Sequence, residues 1–296
     1  MSNSRRGINK TPLELDDLDQ LITPLLKRGQ SLNHIYATHA GEINCSRRTR
    51  YSYIEQGALT AGNMDLPRQV RYKPHKVRKK PSENHQAYRN NRTYKDFQRY
   101  LEEHPEASII EMDTVESSRD SSCAILTMLF RNSSLMLAFL LEHNTRAEVG
   151  KVFESLEKIL GPDMMREVFQ VILTDNGPEF KNPTQMEFSL SGKRRTRVFF
   201  CDPMASWQKG RLEKNHEYIR YILPKGRSFT DLTPHHVTLM LNHINSTARA
   251  SLNGATPFEL ASLLLPQQLL IALGLQVVPH DQVLLKPKLL RDNKLR

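Results

Sequence analysis

The chain has 296 residues, 39% of them hydrophobic and 25% charged, enough to bury a large core and to build more than one folded unit. Its formal net charge of +10 favours a polyanionic partner, because neutralising phosphates drives binding to nucleic acid. The three cysteines, Cys45, Cys123 and Cys201, lie far apart with no C-x-x-C spacing, which excludes the usual structural zinc pattern and points to a reduced, cytoplasmic protein.

The start, MSNSRRGINK, carries positive charge with no apolar run behind it, so no secretory signal is expected. Helical periodicity then begins: Leu15, Leu18, Leu21, Ile22, Leu25 and Leu26 share one face, and Lys27, Arg28 and Gly29 close the helix. Ser31 can cap a second helix burying Leu32 and Ile35. After a turn at His39-Ala40-Gly41, Ser46 can cap a third that runs through Tyr53 and Ile54 to Gly57. Two short helices, a tight turn and a helix opening on Arg47, Arg48, Thr49 and Arg50 describe a helix-turn-helix, which presents the start of its last helix to the major groove. A plain helical bundle with solvated arginines has the same pattern.

From Pro67 to Arg99 the chain turns basic, with Arg68, Arg71, Lys73, Lys76 and Arg78 through Lys95 interleaved with tyrosines and few large aliphatic residues. This reads as a linker or arm suited to tracking phosphates. Strand patterns follow at Ser108 to Val115, Ala124 to Phe130 and Leu135 to Leu141, with Arg131, Asn132 and two serines breaking what would otherwise be an apolar span. Thr145-Arg146-Ala147-Glu148 has the form of a capping box for a helix ending near Gly161. Val168 to Thr174 and Arg197 to Cys201 are further strands, and KRRTR before the latter suits a hairpin. Helices are expected from Trp207 to Ile222 and after Thr233-Pro234 and Thr256-Pro257. Three consecutive strands and then a helix-strand alternation match a ribonuclease-H-like order: an α/β class, a mixed sheet flanked by helices, preceded by an all-α domain. The leucine-rich end beyond Leu263 has no role assignable from pattern.

Asp113 interrupts a strand whose neighbours are apolar, where an unpaired carboxylate is costly unless it is paired, exposed or metal-bound. Asp175 closes a second apolar strand just before Asn176-Gly177, and Glu213 lies in a basic helix. Brought together, the three would repel one another, and hard divalent cations would turn that repulsion into coordination. Two such ions roughly 4 Å apart activate a nucleophile and stabilise a leaving oxygen in phosphodiester chemistry. Each residue alone has another explanation: a backbone hydrogen bond for Asp113, an Asx turn for Asp175, a helical ion pair with Lys209 or Arg220 for Glu213. Glu116, Asp120, Glu179 and Glu217 are further acidic residues nearby.

The strings EMDTVES, VILTDNGPEF, FFCDPMASWQKGRLEKNHEYIRYILPKG and NHINSTARASLNGATPFEL, in this order, closely resemble transposases of the bacterial IS-thirty family, within the retroviral-integrase-like DDE superfamily. The resemblance extends over nearly the whole chain. It implies two-metal, magnesium-dependent cleavage and strand transfer, with manganese able to substitute and with no covalent enzyme intermediate. Asp113, Asp175 and Glu213 carry over as catalytic metal ligands, Glu213 rather than Glu217 because it follows Gly210 in QKGRLEKNH. Asn176 and Gly177 match the motif as shape-determining neighbours. Arg47, Arg48, Arg50, Arg71, Lys73, Lys209, Lys214 and His216 are the DNA contacts expected.

The implied partners are double-stranded DNA, as inverted-repeat ends and target, and further copies of the chain at synapsis; no membrane is involved. The corresponding division is 1–60 helix-turn-helix, 61–103 basic arm, 104–262 catalytic core and 263–296 C-terminal extension. The family commonly has a longer N-terminal portion, so the alternative is a truncated product that occupies the repeats and represses transposition. A ribonuclease H or junction nuclease suits the helix-turn-helix and basic arm less well.

Overall fold

The computed structural model describes residues 8–67 and 87–291, apart from the side chains of Arg47 and Ser206. The expected contacts Arg71 and Lys73 lie outside the described residues. The N-terminal trio forms as α1 (Pro12–Lys27), α2 (Leu32–Thr38) and α3 (Arg47–Glu55). Ser31 accepts the His34 N–H and Ser46 the Thr49 N–H, so both predicted caps are present. Leu18, Ile22, Leu25 and Leu26 bury their shared face against Leu32, Ile35, Tyr53 and Ile54 in a core of their own.

The segment whose composition suggests an arm ends in a helix, α4 (Tyr94–Glu103). Thr93 and Asp96 close a complete capping box, and Phe97 is buried against Val171, Leu173 and Phe199 of the sheet. The amphipathic spacing of Tyr94, Phe97, Tyr100 and Leu101 decides its fate over the charges between them.

Five strands, β1 (Ile109–Glu116), β2 (Ala124–Phe130), β3 (Met136–Leu141), β4 (Val171–Thr174) and β5 (Arg197–Phe200), lie in the order β3-β2-β1-β4-β5. The first three are antiparallel; β4 runs parallel to β1, and β5 parallel to β4. This is the ribonuclease-H-like arrangement that the element order predicts. Between β3 and β4 run α5 (Arg146–Leu160) and α6 (Pro162–Val168), and α7 (Pro183–Glu187) precedes β5. Only half of the predicted box opens α5: Thr145 accepts the Glu148 N–H at 3.3 Å, while the Glu148 carboxylate takes Lys151 at 2.7 Å. The KRRTR stretch makes the expected turn, with Phe188 bridging Arg194, but Arg195 is buried, donating to Glu157 and to the Met186 and Gln185 carbonyls.

Met112, Met128 and Leu137 align across the strands on the face covered by α5. The opposite face, bearing Glu111 and Asp113, receives α4 and α8 (Gly210–Ile222). Two further helices start where proline at the first position predicts, α9 (Pro234–Asn245) and α10 (Pro257–Leu264); α11 (Gln267–Ala272) follows.

The C-terminal segment has a clear structural part. Gln30 donates to the His280 and Val283 carbonyls at 2.8 and 3.0 Å, Arg28 to Gln282 at 2.8 Å, and the Leu285 N–H to Arg28 at 3.0 Å. Gly29 adopts φ +84, and an added Cβ would stand 2.7 Å from the Leu285 oxygen, so the strap needs glycine there. Residues 280–285 thereby tie the N-terminal helices to the core.

Candidate active site

The fold brings two of the three predicted carboxylates to one place. Asp113 is within central β1 and Asp175 follows the end of β4, its parallel neighbour, so their side chains meet where β4 stops beside β1. Lys209 comes between them, its Nζ 3.1 Å from Asp113 Oδ2, 3.2 Å from Asp175 Oδ2 and 3.3 Å from the Met112 carbonyl. The Asp113 side chain is 19% exposed and that of Asp175 44%, which leaves the site open on the Asp175 side.

Local turns fix each group. Asp175 Oδ1 accepts the Gly177 N–H in an Asx turn, and the Asn176 amide donates to the Cys201 carbonyl, joining the ends of β4 and β5. A Cβ on Gly177 would fall 2.6 Å from the Glu179 carboxylate, which accepts from Thr114 at 2.7 Å. Thus Asx geometry at Asp175 does not compete with a site role; it aims the second oxygen at the shared cation.

One ammonium between two carboxylates leaves a partly buried site with an excess of carboxylate. Burial pushes the Asp113 carboxyl above its ordinary value despite the pull of Lys209, and Asp175 adds to the rise. Burial alone would lower Lys209, but Asp113 and Asp175 outweigh it and hold the amine above its usual range.

Glu111 is a residue that the sequence reading passed over. It is two positions before Asp113, so strand alternation puts it on the same face. It is 1% exposed, and it accepts Arg131 Nε at 3.0 Å and the Leu212 N–H at 2.9 Å. Helix α8 has no side-chain cap of its own; a carboxylate from β1 satisfies one of its first-turn N–H groups and complements its dipole. Glu111 therefore sets the position of the turn carrying Glu213.

Glu213 itself is exposed on that turn, and among the described residues no three His, Cys, Asp or Glu side chains gather closely enough to hold an ion. The expected three-carboxylate cluster is thus represented by Asp113 and Asp175 closed on Lys209. The donor set still fits a hard cation, since two carboxylate oxygens and a carbonyl already surround a single positive charge.

The nominated DNA contacts divide. Arg48 and Lys214 are exposed. Arg50 is fully buried, stacked over the Tyr36 ring at 4.3 Å and bonded to the Ser46 carbonyl, so it holds the helical trio together instead of facing a groove. Lys209, 3% exposed, is committed to the carboxylates. His216 is half-buried and meets Thr127 Oγ1 at 2.8 Å, and that hydroxyl donates to the Asp113 carbonyl. Burial holds the ring down to about 4, so His216 is a neutral support behind Asp113 and lacks the charge of a phosphate contact.

No protein-family model matches the chain. Curated relatives are insertion-sequence transposases: that of IS4351 from Bacteroides fragilis is 28% identical over 151 residues, 51% of this chain and 43% of its own length. The probable transposase of IS1161 from Streptococcus salivarius is 28% identical over 202 residues, 66% of this chain and 52% of its own. InsI of IS30A from Escherichia coli K12 is 27% identical over 150 residues, 51% and 37% respectively. The chain therefore spans about half the length of the first two relatives or less.

Among solved structures, the catalytic core domain of BIV integrase aligns with TM-score 0.36 and 18% identity over 51% of this chain and 91% of that one. The catalytic core domain of HTLV-2 integrase in complex with magnesium gives TM-score 0.37 and 18% identity over 52% and 95%. Superpositions this loose carry no weight beside the strand order itself. No helix among the described residues is long and apolar enough to cross a membrane. With its motifs in order and these sequence relatives, the chain is similar to IS30-like insertion-sequence transposases.

Proposed function

We propose that the chain is a DNA transposase that binds the inverted-repeat ends of its own element and cuts and joins strands at Asp113, Asp175 and Glu213. The observation that carries the reading is the convergence of Asp113 and Asp175 on a single cation, at the strand ends of a basic chain with transposase relatives. Asp113, Asp175 and, after a movement of its side chain, Glu213 would hold two magnesium ions, with manganese able to replace them. Bound there, the ions would supply Lewis-acid activation of the attacking and leaving oxygens of a phosphodiester.

The protein's own part is to aim and support. Gly177 and Asn176 orient Asp175, Thr127 and His216 brace the Asp113 backbone, and Glu111 fixes the first turn of α8. Arg47, Arg48 and Lys214 would contact DNA phosphates or bases, and Arg71 and Lys73 would extend that track. Synapsis of two ends calls for at least two copies, acting on DNA in the bacterial cytoplasm. In the test, Asp175→Asn keeps affinity for repeat-end DNA and loses magnesium-dependent cleavage. Cleavage by the variant at the parental rate would refute the site, whereas repeat occupancy without cleavage by the parent would favour the repressor reading.

A further inference from the structure

We propose that Trp207 and Met204 form a stacking platform for a nucleobase beside the scissile phosphate, an inference that rests on the strand-transfer reading above. Trp207 is the only tryptophan in the sequence and is 76% exposed. Its neighbours are not: Ala205 is 5% exposed, Gln208 9% and Lys209 3%. Ala205, Gln208 and Lys209 therefore seat the turn in the protein while the indole points outward, giving up a burial worth about 2–3 kcal/mol for a large apolar side chain.

The turn is also held rigidly. Gln208 accepts the Asp202 N–H at 2.8 Å and donates back to the Asp202 carboxylate at 3.0 Å. Arg89 pairs with that same carboxylate at 3.5 Å, and the Ala205 N–H closes on the Asp202 carbonyl at 3.1 Å. Met204, 60% exposed, sits at φ +62, a left-handed conformation costing a non-glycine residue roughly 1 kcal/mol or more. Two large apolar side chains are thus displayed to solvent from one pinned loop, one of them against a backbone cost.

Position supplies the ligand class. The same turn delivers Lys209 to Asp113 and Asp175, so the platform borders the carboxylates, and the exposed Arg211 and Lys214 follow on α8. A flat π face and a polarizable thioether next to cations match a base whose phosphate lies toward the carboxylates. A strand end frayed at the cleavage point offers such a base.

The test uses the intact chain carrying Asp175→Asn, so that DNA is bound and not cut, and a fluorescein-labelled duplex oligonucleotide with a frayed single-stranded 3′ end. Binding is followed by anisotropy while emission of the single tryptophan is recorded. Stacking predicts quenching of Trp207 at saturation. It also predicts a roughly tenfold loss of affinity for the frayed duplex with Trp207→Ala, and near-parental affinity with Trp207→Phe. The melting temperature should not move, because the side chain is exposed. Normal DNA binding with unchanged emission would overturn the platform and leave the transposase reading standing. A Trp207→Ala variant that binds DNA normally but changes oligomeric state would assign the patch to a second copy and likewise overturn it. Failure of the parent to bind DNA would sink both.

Discussion

The N-terminal helices and the strand-end site were nominated by different kinds of evidence, and they fared differently. In the helices the nominations followed charge, and residues two positions apart went opposite ways: Arg48 faces solvent while Arg50 stacks on Tyr36 inside the bundle. In the core, family-like motifs single out Asp113 and Asp175, their places on apolar strands agree with that choice, and the two side chains converge on Lys209. A strand's two-residue alternation and its neighbours' register leave a side chain few directions, whereas a short helix can turn an arginine either way. Lys209 and His216, both expected as DNA contacts, face inward within the core.

The sharpest way to break the contrast is to remove the buried charge that joins strand to helix. Glu111→Ala strands Arg131 and uncaps α8, and should cost about 3–5 kcal/mol in urea unfolding, the range for breaking a buried pair. A loss under 1 kcal/mol would mean that α8 is positioned by packing alone.

Lys209→Met comes next. It leaves two carboxylates without their counter-ion, and metal-free stability should fall by about 1–3 kcal/mol, discounted because the Asp175 side chain is 44% exposed. Magnesium should raise the melting temperature of the variant more than that of the parent, since ammonium and metal compete for the same oxygens. Equal increments would show that Lys209 does not occupy the cation position.

Acidification probes the strap between the two regions. His34 accepts the Ala248 N–H at its Nδ1, and His243 accepts the Leu284 N–H in the same way, so each must be neutral. Burial holds both down to about 4, with His280 and His39 adding repulsion at His34 against the pull of Asp281, and Arg28 adding to it at His243. A folded value below the unfolded one, near 6.5, means that their stabilisation is complete above that pH and is lost as pH falls toward 4. Thermal unfolding between pH 7 and 4.5 should show this loss, blunted in His34→Gln; an unchanged profile would remove these rings from the linkage.

The smallest effects separate the arginines. Arg50→Ala should cost about 1–3 kcal/mol of stability through lost packing. Arg48→Ala should leave stability within about 0.5 kcal/mol and lower the salt slope of DNA binding by about one. Equal effects of the two on stability would erase the distinction between buried and exposed positions.

Much of this was legible because local signals and tertiary structure agree. Ser31, Ser46 and Thr145 cap helices where the sequence places them, and Pro234 and Pro257 open α9 and α10. Helix α4 was hidden because the basic run before it set the character of the whole segment, while α4 itself carries only Lys95 and Arg99 as basic residues beside its apolar face. Glu111 carried a readable signal, its two-residue offset from Asp113, but its value depends on a helix a hundred residues away. The strap at 280–285 had no local signature, because its bonds are to the side chains of Arg28 and Gln30 in the turn between α1 and α2, which only the fold brings near. Glu213 was legible only through family-like motifs, and its side chain is the part of the proposed site that must still close.

That closure gives the most direct measurement: manganese binding to the intact protein by isothermal titration calorimetry, comparing the parent with Asp175→Asn and Glu213→Gln. If the three carboxylates share the ions, each variant should lose at least the roughly tenfold affinity that removing even an outer partner of a metal site costs. Parental affinity in Glu213→Gln would contradict the account, leaving Asp113 and Asp175 as a two-carboxylate site in which α8 takes no part.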